Sequence, residues 1–288
     1  MITLSNGCAF EYATASGALG FNGRGWPWEW PLKAVRLLDP LLFANVIKTL
    51  TLKPRTGNLR WRKPWGCVRL IFDGLKIVGA VNAVGLTNPG IDWWIKKVGP
   101  KIRPEENLIA SILGEPAELA IMATILNNYN IFAIEVNVSC PNTQDDFLKN
   151  AEKAIEGCRA VKRNSRHPIL VKLSVANDAE RIVPALAGVA EAFSVNSVPW
   201  NMIFPYKKSP LAKLGGGGVS GKIAQRFTWA FAEELMTITD IPFIAPSVWD
   251  FEDIEKLRDA GFEAFSFGSV FMPFPWRPTL YVRKDMSR

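Results

Sequence analysis

Short apolar runs recur along the chain. Each leads into a polar turn and then into a segment whose apolar residues return at helical spacing. The two periods predict different elements. Strands are expected over 44–50, 108–112, 131–138, 169–173, 192–195, 241–245 and 264–267, with one more before Ala15. Helices are expected over 116–128, 145–161, 179–188, 223–237 and 251–260. Strands alternating with helices imply a parallel sheet with helices outside it. The repeats suffice to close eight strands, so the predicted fold is α/β, a (β/α)8 TIM barrel, with active groups at the C-terminal strand ends. Two segments break the rhythm. Residues 51–81, rich in Lys, Arg, Pro and Gly, predict a hairpin excursion over the C-terminal mouth, with strands at 67–72 and 75–78 around Asp73-Gly74. Residues 199–218 predict a long loop ending in four glycines, and loops of that length usually carry function.

Composition narrows the class. The chain has 288 residues, 48% hydrophobic and 21% charged, a globular balance compatible with one barrel domain spanning 1–288. It shows no uninterrupted apolar stretch long enough to span a membrane, and its first residues lack a signal-peptide pattern, so a cytoplasmic protein is expected. Cys8, Cys67, Cys140 and Cys158 lie far apart with no Cys-x-x-Cys, which argues for reduced thiols and against a metal site or disulfide framework. His167, beside Pro168, reads as a surface residue with no triad around it. The net charge of +7 is spread along the chain without an RNA-binding motif, so it points away from nucleic acid. It suits an anionic substrate and a phosphate-bearing cofactor. Tryptophans cluster at Trp26, Trp28 and Trp30 and at Trp93-Trp94, either as packing under loops or as a partner surface.

The candidate chemistry follows the strands. Glu-Val-Asn-Val-Ser-Cys-Pro-Asn-Thr, from Glu135, runs from a strand into a polar turn carrying Asn137, Cys140 and Asn142. Pro141 restricts Cys140 to an extended conformation. Other strand ends carry Ala15-Ser16-Gly17, Lys48-Thr49, Asn82 with Gly85-Leu86, Lys172, Asn196-Ser197, Ser220-Gly221 and Gly268-Ser269. Singly, each has an ordinary reading as a cap or a flexible connector. Together they suit one task. Lysines stabilise an anionic substrate and a reduced cofactor, amides read a pyrimidine-like pattern, and glycine-rich loops offer N–H groups to a phosphate. A thiol takes a proton.

Over 15–271 the chain resembles the class 1 dihydroorotate dehydrogenases, FMN-dependent TIM-barrel enzymes. The resemblance rests on Ala-Ser-Gly-Ala-Leu-Gly-Phe from Ala15, Lys-Thr-Leu-Thr-Leu-Lys-Pro-Arg-Thr-Gly-Asn from Lys48, Asn-Ala-Val-Gly-Leu-Thr-Asn-Pro-Gly from Asn82 and Asn-Val-Ser-Cys-Pro-Asn from Asn137. It implies that Cys140 is the base removing the C5 proton of dihydroorotate while FMN takes a hydride from C6, with Lys48 and Lys172 also catalytic. It implies substrate contacts from Lys48, Asn82, Gly85, Leu86, Asn137, Asn142, Asn196 and Ser197. Ala15, Ser16, Gly17, Lys48, Asn137 and Lys172 would line the flavin. Ser220, Gly221, Gly268 and Ser269 would hold its phosphate. No metal is implied.

One departure is visible. Where the family has a Gly-x-Gly-Gly turn after the seventh strand, this chain has Ala245-Pro246-Ser247-Val248-Trp249, which predicts weaker FMN retention because Pro246 lacks an N–H. The resemblance also implies either a homodimer using fumarate or a heterotetramer with an electron-transfer subunit carrying FAD and an iron–sulfur cluster, and the stretches from Lys48 and Asn88 look more like the second. Two other readings stand beside this one. The first is a related flavin oxidoreductase acting on another pyrimidine. The second is a catalytically degenerate barrel serving as a binding or structural subunit.

Overall fold

The computed structural model describes residues 1–60, 62–138 and 151–288. Eight parallel strands close into a barrel: β1 (Tyr12–Thr14), β2 (Ala44–Val46), β3 (Leu108–Ile112), β4 (Ala133–Asn137), β5 (Ile169–Leu173), β6 (Ala192–Val195), β7 (Phe243–Ala245) and β8 (Ala264–Phe267). Each pairs with its neighbours in chain order, and β8 returns to β1. Helices such as Pro116–Leu126, Ala151–Asn164, Gln225–Met236 and Glu252–Asp259 connect successive strands. Pro116 opens the first of these at the position where a missing N–H does no harm, and the Glu118 carboxylate accepts the Glu115 N–H at 3.1 Å. The first part of the helix expected over 145–161 lies outside the described residues.

Period-two alternation sorts the strand residues into two layers. Ile134, Val136, Val171, Leu173, Phe193, Phe243 and Phe265 belong to the core between barrel and helices. Ala13, Ala44, Val46, Ile109, Ala133, Leu170, Ala192, Ile244 and Ala264 form a separate apolar cluster inside the barrel. Ile2, Leu4 and Phe10 join that inner cluster from an N-terminal hairpin, Ile2–Thr3 with Ala9–Phe10, which the sequence pattern did not predict. The inner residues one step further along the strands are polar: Ser111, Glu135 and Asn137, Lys172, Ser194 and Ser266. The barrel interior is therefore apolar at its base and polar at its mouth.

The excursion is a hairpin, as expected, but a longer one: Val68–Asp73 pairs antiparallel with Lys76–Asn82. The expected loop over 199–218 is not a plain loop. Its ends form strands Val198–Pro199 and Gly218–Ser220, and the latter pairs with Lys76–Asn82, making a four-stranded sheet over the mouth. This sheet has its own apolar core of Val81, Ala83, Val198, Ile203, Leu211, Val219 and Ala224. Among the described residues, no helix is long and apolar enough to cross a membrane.

Candidate active site

A cavity of about 520 Å³ opens at the C-terminal strand ends, beneath the four-stranded sheet. Its size suits a cofactor with a small substrate. Ala15, Ser16 and Gly17 reach it from the turn after β1, and Lys48 from just beyond β2. Asn137 and Lys172 point into it from β4 and β5, Asn196 and Ser197 from the end of β6. Asn82, Gly85 and Leu86 line it from the segment after the hairpin, Ser220 and Gly221 from the end of Gly218–Ser220, and Gly268 and Ser269 from the turn after β8. Every described candidate residue thus borders one space. Cys140 and Asn142 lie outside the described residues.

The floor of the cavity is a connected polar network. Lys172 Nζ donates to Glu135 Oε1 at 2.9 Å, with both side chains almost wholly buried. Lys172, expected from the sequence only at the flavin, thus also has a carboxylate partner within the barrel. The Ser111 hydroxyl donates to the same oxygen at 2.7 Å, and the Ser194 hydroxyl approaches Oε2 at 3.4 Å. Because the single hydroxyl proton of Ser111 goes to Glu135, Thr49, 2.9 Å away, donates to Ser111. Thr49 in turn accepts from Asn137 Nδ2 at 3.1 Å and lies 3.0 Å from Ser16 Oγ. Ser111 and Glu135 were not candidate site residues from the sequence, and Thr49 was in view there only beside Lys48. The signal that exposes them is strand parity, because Glu135 shares a face with Asn137 and Ser111 lies one inner step beyond Ile109.

The segment after the hairpin is strapped down from 55–59. Asn58 donates its N–H to the Val84 carbonyl at 2.9 Å and its amide to the Ala83 carbonyl at 2.8 Å. Leu59 N–H reaches Thr87 Oγ1 at 3.2 Å, and Arg55 and Asn88 exchange backbone hydrogen bonds. Gly57 is required for this approach: a Cβ there would lie 2.4 Å from the Gly85 carbonyl oxygen. Leu86 is held with φ +54, a left-handed conformation that is unusual for a branched residue.

The far end of the cavity suits a phosphate. Ser269 Oγ is buried with no hydrogen-bond partner among the described residues, an orphan that calls for a polar ligand. Gly221, at φ +97, leaves no room for a side chain, since a Cβ would meet Gly79 Cα at 2.7 Å and the Trp249 ring at 2.8 Å. The Ala245–Asp250 turn is already saturated on one side. Val248 N–H donates to the Ser266 carbonyl, and the N–H groups of Trp249 and Asp250 both donate to Asp253 Oδ2 at 2.9 Å. These two N–H groups, just ahead of the helix Glu252–Asp259, are thus spent on that helix's own carboxylate. Ser247 stands at φ +63, in the left-handed region where glycine is the easy choice, and lines the cavity. Trp229 and Gln225 hold this backbone from outside through the Pro246 and Ser247 carbonyls. The donor set and the orphaned hydroxyl fit the FMN that the sequence resemblance implies.

At the outer rim Trp26 and Trp28 stack with centroids 5.2 Å apart and also border the cavity. Trp28 and Trp30 are about two-thirds exposed, whereas Trp94 is fully buried in the core. His167 is buried rather than on the surface: its Nε2 lies 3.2 Å from the Leu126 carbonyl, and burial holds its imidazole below the ordinary histidine range. Cys67 and Cys158 are buried, and burial pushes both thiols up, that of Cys158 to about 12. Neither has the character of a base.

The family model for dihydroorotate dehydrogenase matches residues 36–247. The catalytic subunit of dihydroorotate dehydrogenase B (NAD(+)) from Desulforudis audaxviator is 35% identical over 277 residues, covering 91% of this chain and 83% of that protein. The corresponding subunit from Caldicellulosiruptor saccharolyticus is 30% identical over 265 residues, covering 89% and 82%. Dihydroorotate dehydrogenase A (fumarate) from Lacticaseibacillus paracasei is 32% identical over 268 residues, covering 89% and 86%.

Proposed function

The chain belongs to the dihydroorotate dehydrogenase family, and we propose that it oxidises dihydroorotate to orotate with FMN held in the cavity at the barrel mouth. The observation that carries this reading is the convergence of Lys48, Lys172, the amides of Asn82, Asn137 and Asn196, and the orphaned Ser269 hydroxyl on one space. Lys48 pairs with the substrate carboxylate. The amides, with the backbone of Gly85 and Leu86 and the Ser197 hydroxyl, read the donors and acceptors of the ring. Asn142 completes this set. Cys140 takes the proton from C5, and a C5–C6 double bond forms as the hydride leaves C6. FMN, when bound, supplies the hydride acceptor. Ala15, Ser16 and Gly17 would pack beside the flavin, with Lys48 and Asn137 also near it. Ser220, Gly221, Gly268 and Ser269 would hold its phosphate, and Lys172 would balance the negative charge that develops on it on reduction.

An anaerobic absorbance spectrum tests the reading. The purified protein should be yellow, and dihydroorotate should bleach the flavin band. Bleaching by another dihydropyrimidine but not by dihydroorotate would favour the related-oxidoreductase reading. A protein that takes up no flavin would favour the degenerate barrel.

Ser247 borders the phosphate end of the cavity. The turn offers few backbone donors, so the Ser247 hydroxyl supplies one of the charge-assisted hydrogen bonds, each worth roughly 1.5–3 kcal/mol. Ser247→Ala should weaken FMN binding by about 10- to 100-fold in equilibrium dialysis of the apoprotein. Unchanged affinity would remove Ser247 from the site.

The electron acceptor is assigned to a partner subunit of the kind implied by the relatives named as catalytic subunits. Exposed Trp28 and Trp30 beside the cavity rim support a protein surface there. Steady-state assays of the isolated chain decide this: efficient turnover with fumarate refutes it, and turnover only with artificial acceptors supports it. The free thiols of Cys8, Cys67 and Cys158 support a reducing, cytoplasmic setting.

A further inference from the structure

We infer that Glu135 is a positioning residue that fixes the Lys172 ammonium at the cavity floor and sets the charge the flavin meets there. This rests on the FMN reading above. Lys172 borders the cavity while Glu135 lies behind it, so one end of a buried ion pair faces the ligand. The Glu135 carboxylate is held from three directions. Lys172 and Ser111 donate to Oε1, and Ser194 lies against Oε2. Ser111 is itself held by Thr49, and Thr49 by Asn137. The carboxylate therefore cannot swing away from the lysine without breaking a chain of hydrogen bonds that crosses β3, β4 and β5.

A buried ion pair is a poor device for stability alone, because well-packed apolar residues do as well or better. Its position gives it another use. Before reduction the pair is neutral, so the oxidised flavin meets an ammonium already balanced by a carboxylate. When electrons arrive, the added negative charge meets the near end of the pair, with Glu135 behind it tempering the attraction. Glu135 thus holds the flavin potential lower than a bare lysine would.

Glu135→Gln keeps the shape and removes the charge. The bound flavin should then favour its reduced form by about tenfold relative to the wild type, an upward shift of about 30 mV for a two-electron couple. The measurement is spectroelectrochemical titration of the FMN-loaded protein. A merely structural role would alter stability and leave the potential in place. If Glu135→Gln does not fold, the Glu135→Gln/Lys172→Met double variant removes both charges of the pair. It is expected to fold, bind FMN and show a potential below the wild type, whereas a purely structural pair requires the wild-type value. Apoprotein that takes up no FMN defeats the functional reading. FMN uptake with an unmoved potential defeats this inference alone.

Discussion

Cys140→Ala is expected to hold FMN as the wild type does and to be reduced by dihydroorotate at least about 10²-fold more slowly, the usual lower worth of a positioned base. The other thiols offer no substitute. Cys67 and Cys158 are buried and disfavour the thiolate, and Cys8 belongs to the hairpin at the opposite end of the barrel. Cys140→Ser should recover part of the rate, with its optimum moved to higher pH, because a hydroxyl surrenders its proton far less readily than a thiol with a pKa of about 8.5. Stopped-flow bleaching of the flavin under anaerobic conditions gives both results. Reduction of the alanine variant at the wild-type rate would transfer the proton to some other group.

Lys172→Met should have the second large effect, on two observables at once. It strands the Glu135 carboxylate in the barrel, leaving it Ser111 and Ser194 as partners among the described residues. Breaking a buried pair from one side destabilises by about 3–5 kcal/mol, because the remaining charge is uncompensated. The flavin potential should fall, since the Lys172 charge is gone and the Glu135 carboxylate behind it is left unbalanced. Denaturant unfolding and potentiometry measure these separately. Adding Glu135→Gln should restore much of the lost stability, and the non-additivity of that cycle measures the coupling directly. If Lys172→Met unfolds like the wild type, the pair makes no contribution and the network is misassigned.

The barrel was legible because its strands and helices carry different hydrophobic periods, and because β5 and β3 are buried along their whole length. Boundaries were less so. The run 44–50 reads as one strand, but the strand ends at Val46 and pairing resumes at an isolated bridge from Leu50 to Ile112, leaving Lys48 and Thr49 between them to line the cavity. Gly218–Ser220 was hidden by its glycines, which spell a loop locally and become a strand only because Lys76–Asn82 offers an edge to pair with. The candidate residues were visible because strand ends are where this architecture gathers its chemistry. Glu135 was in view from the start, in the same stretch as Cys140, but its bond to Lys172 spans 37 residues of sequence and is made only when β4 and β5 pair. His167 was misread for a similar reason. A polar residue beside a proline looks like surface until the Leu126 carbonyl closes over it.

The stacked Trp26–Trp28 pair has a practical consequence. Its rings border the same cavity as the turns proposed to hold the flavin, and Trp249 lies against Gly221 at the far end. A yellow chromophore absorbs where indole emits, so a flavin seated between these rings would accept their excitation energy. The intrinsic fluorescence of the protein should therefore dim as the cavity fills and brighten as it empties. The chain carries its own occupancy gauge, readable without label or turnover.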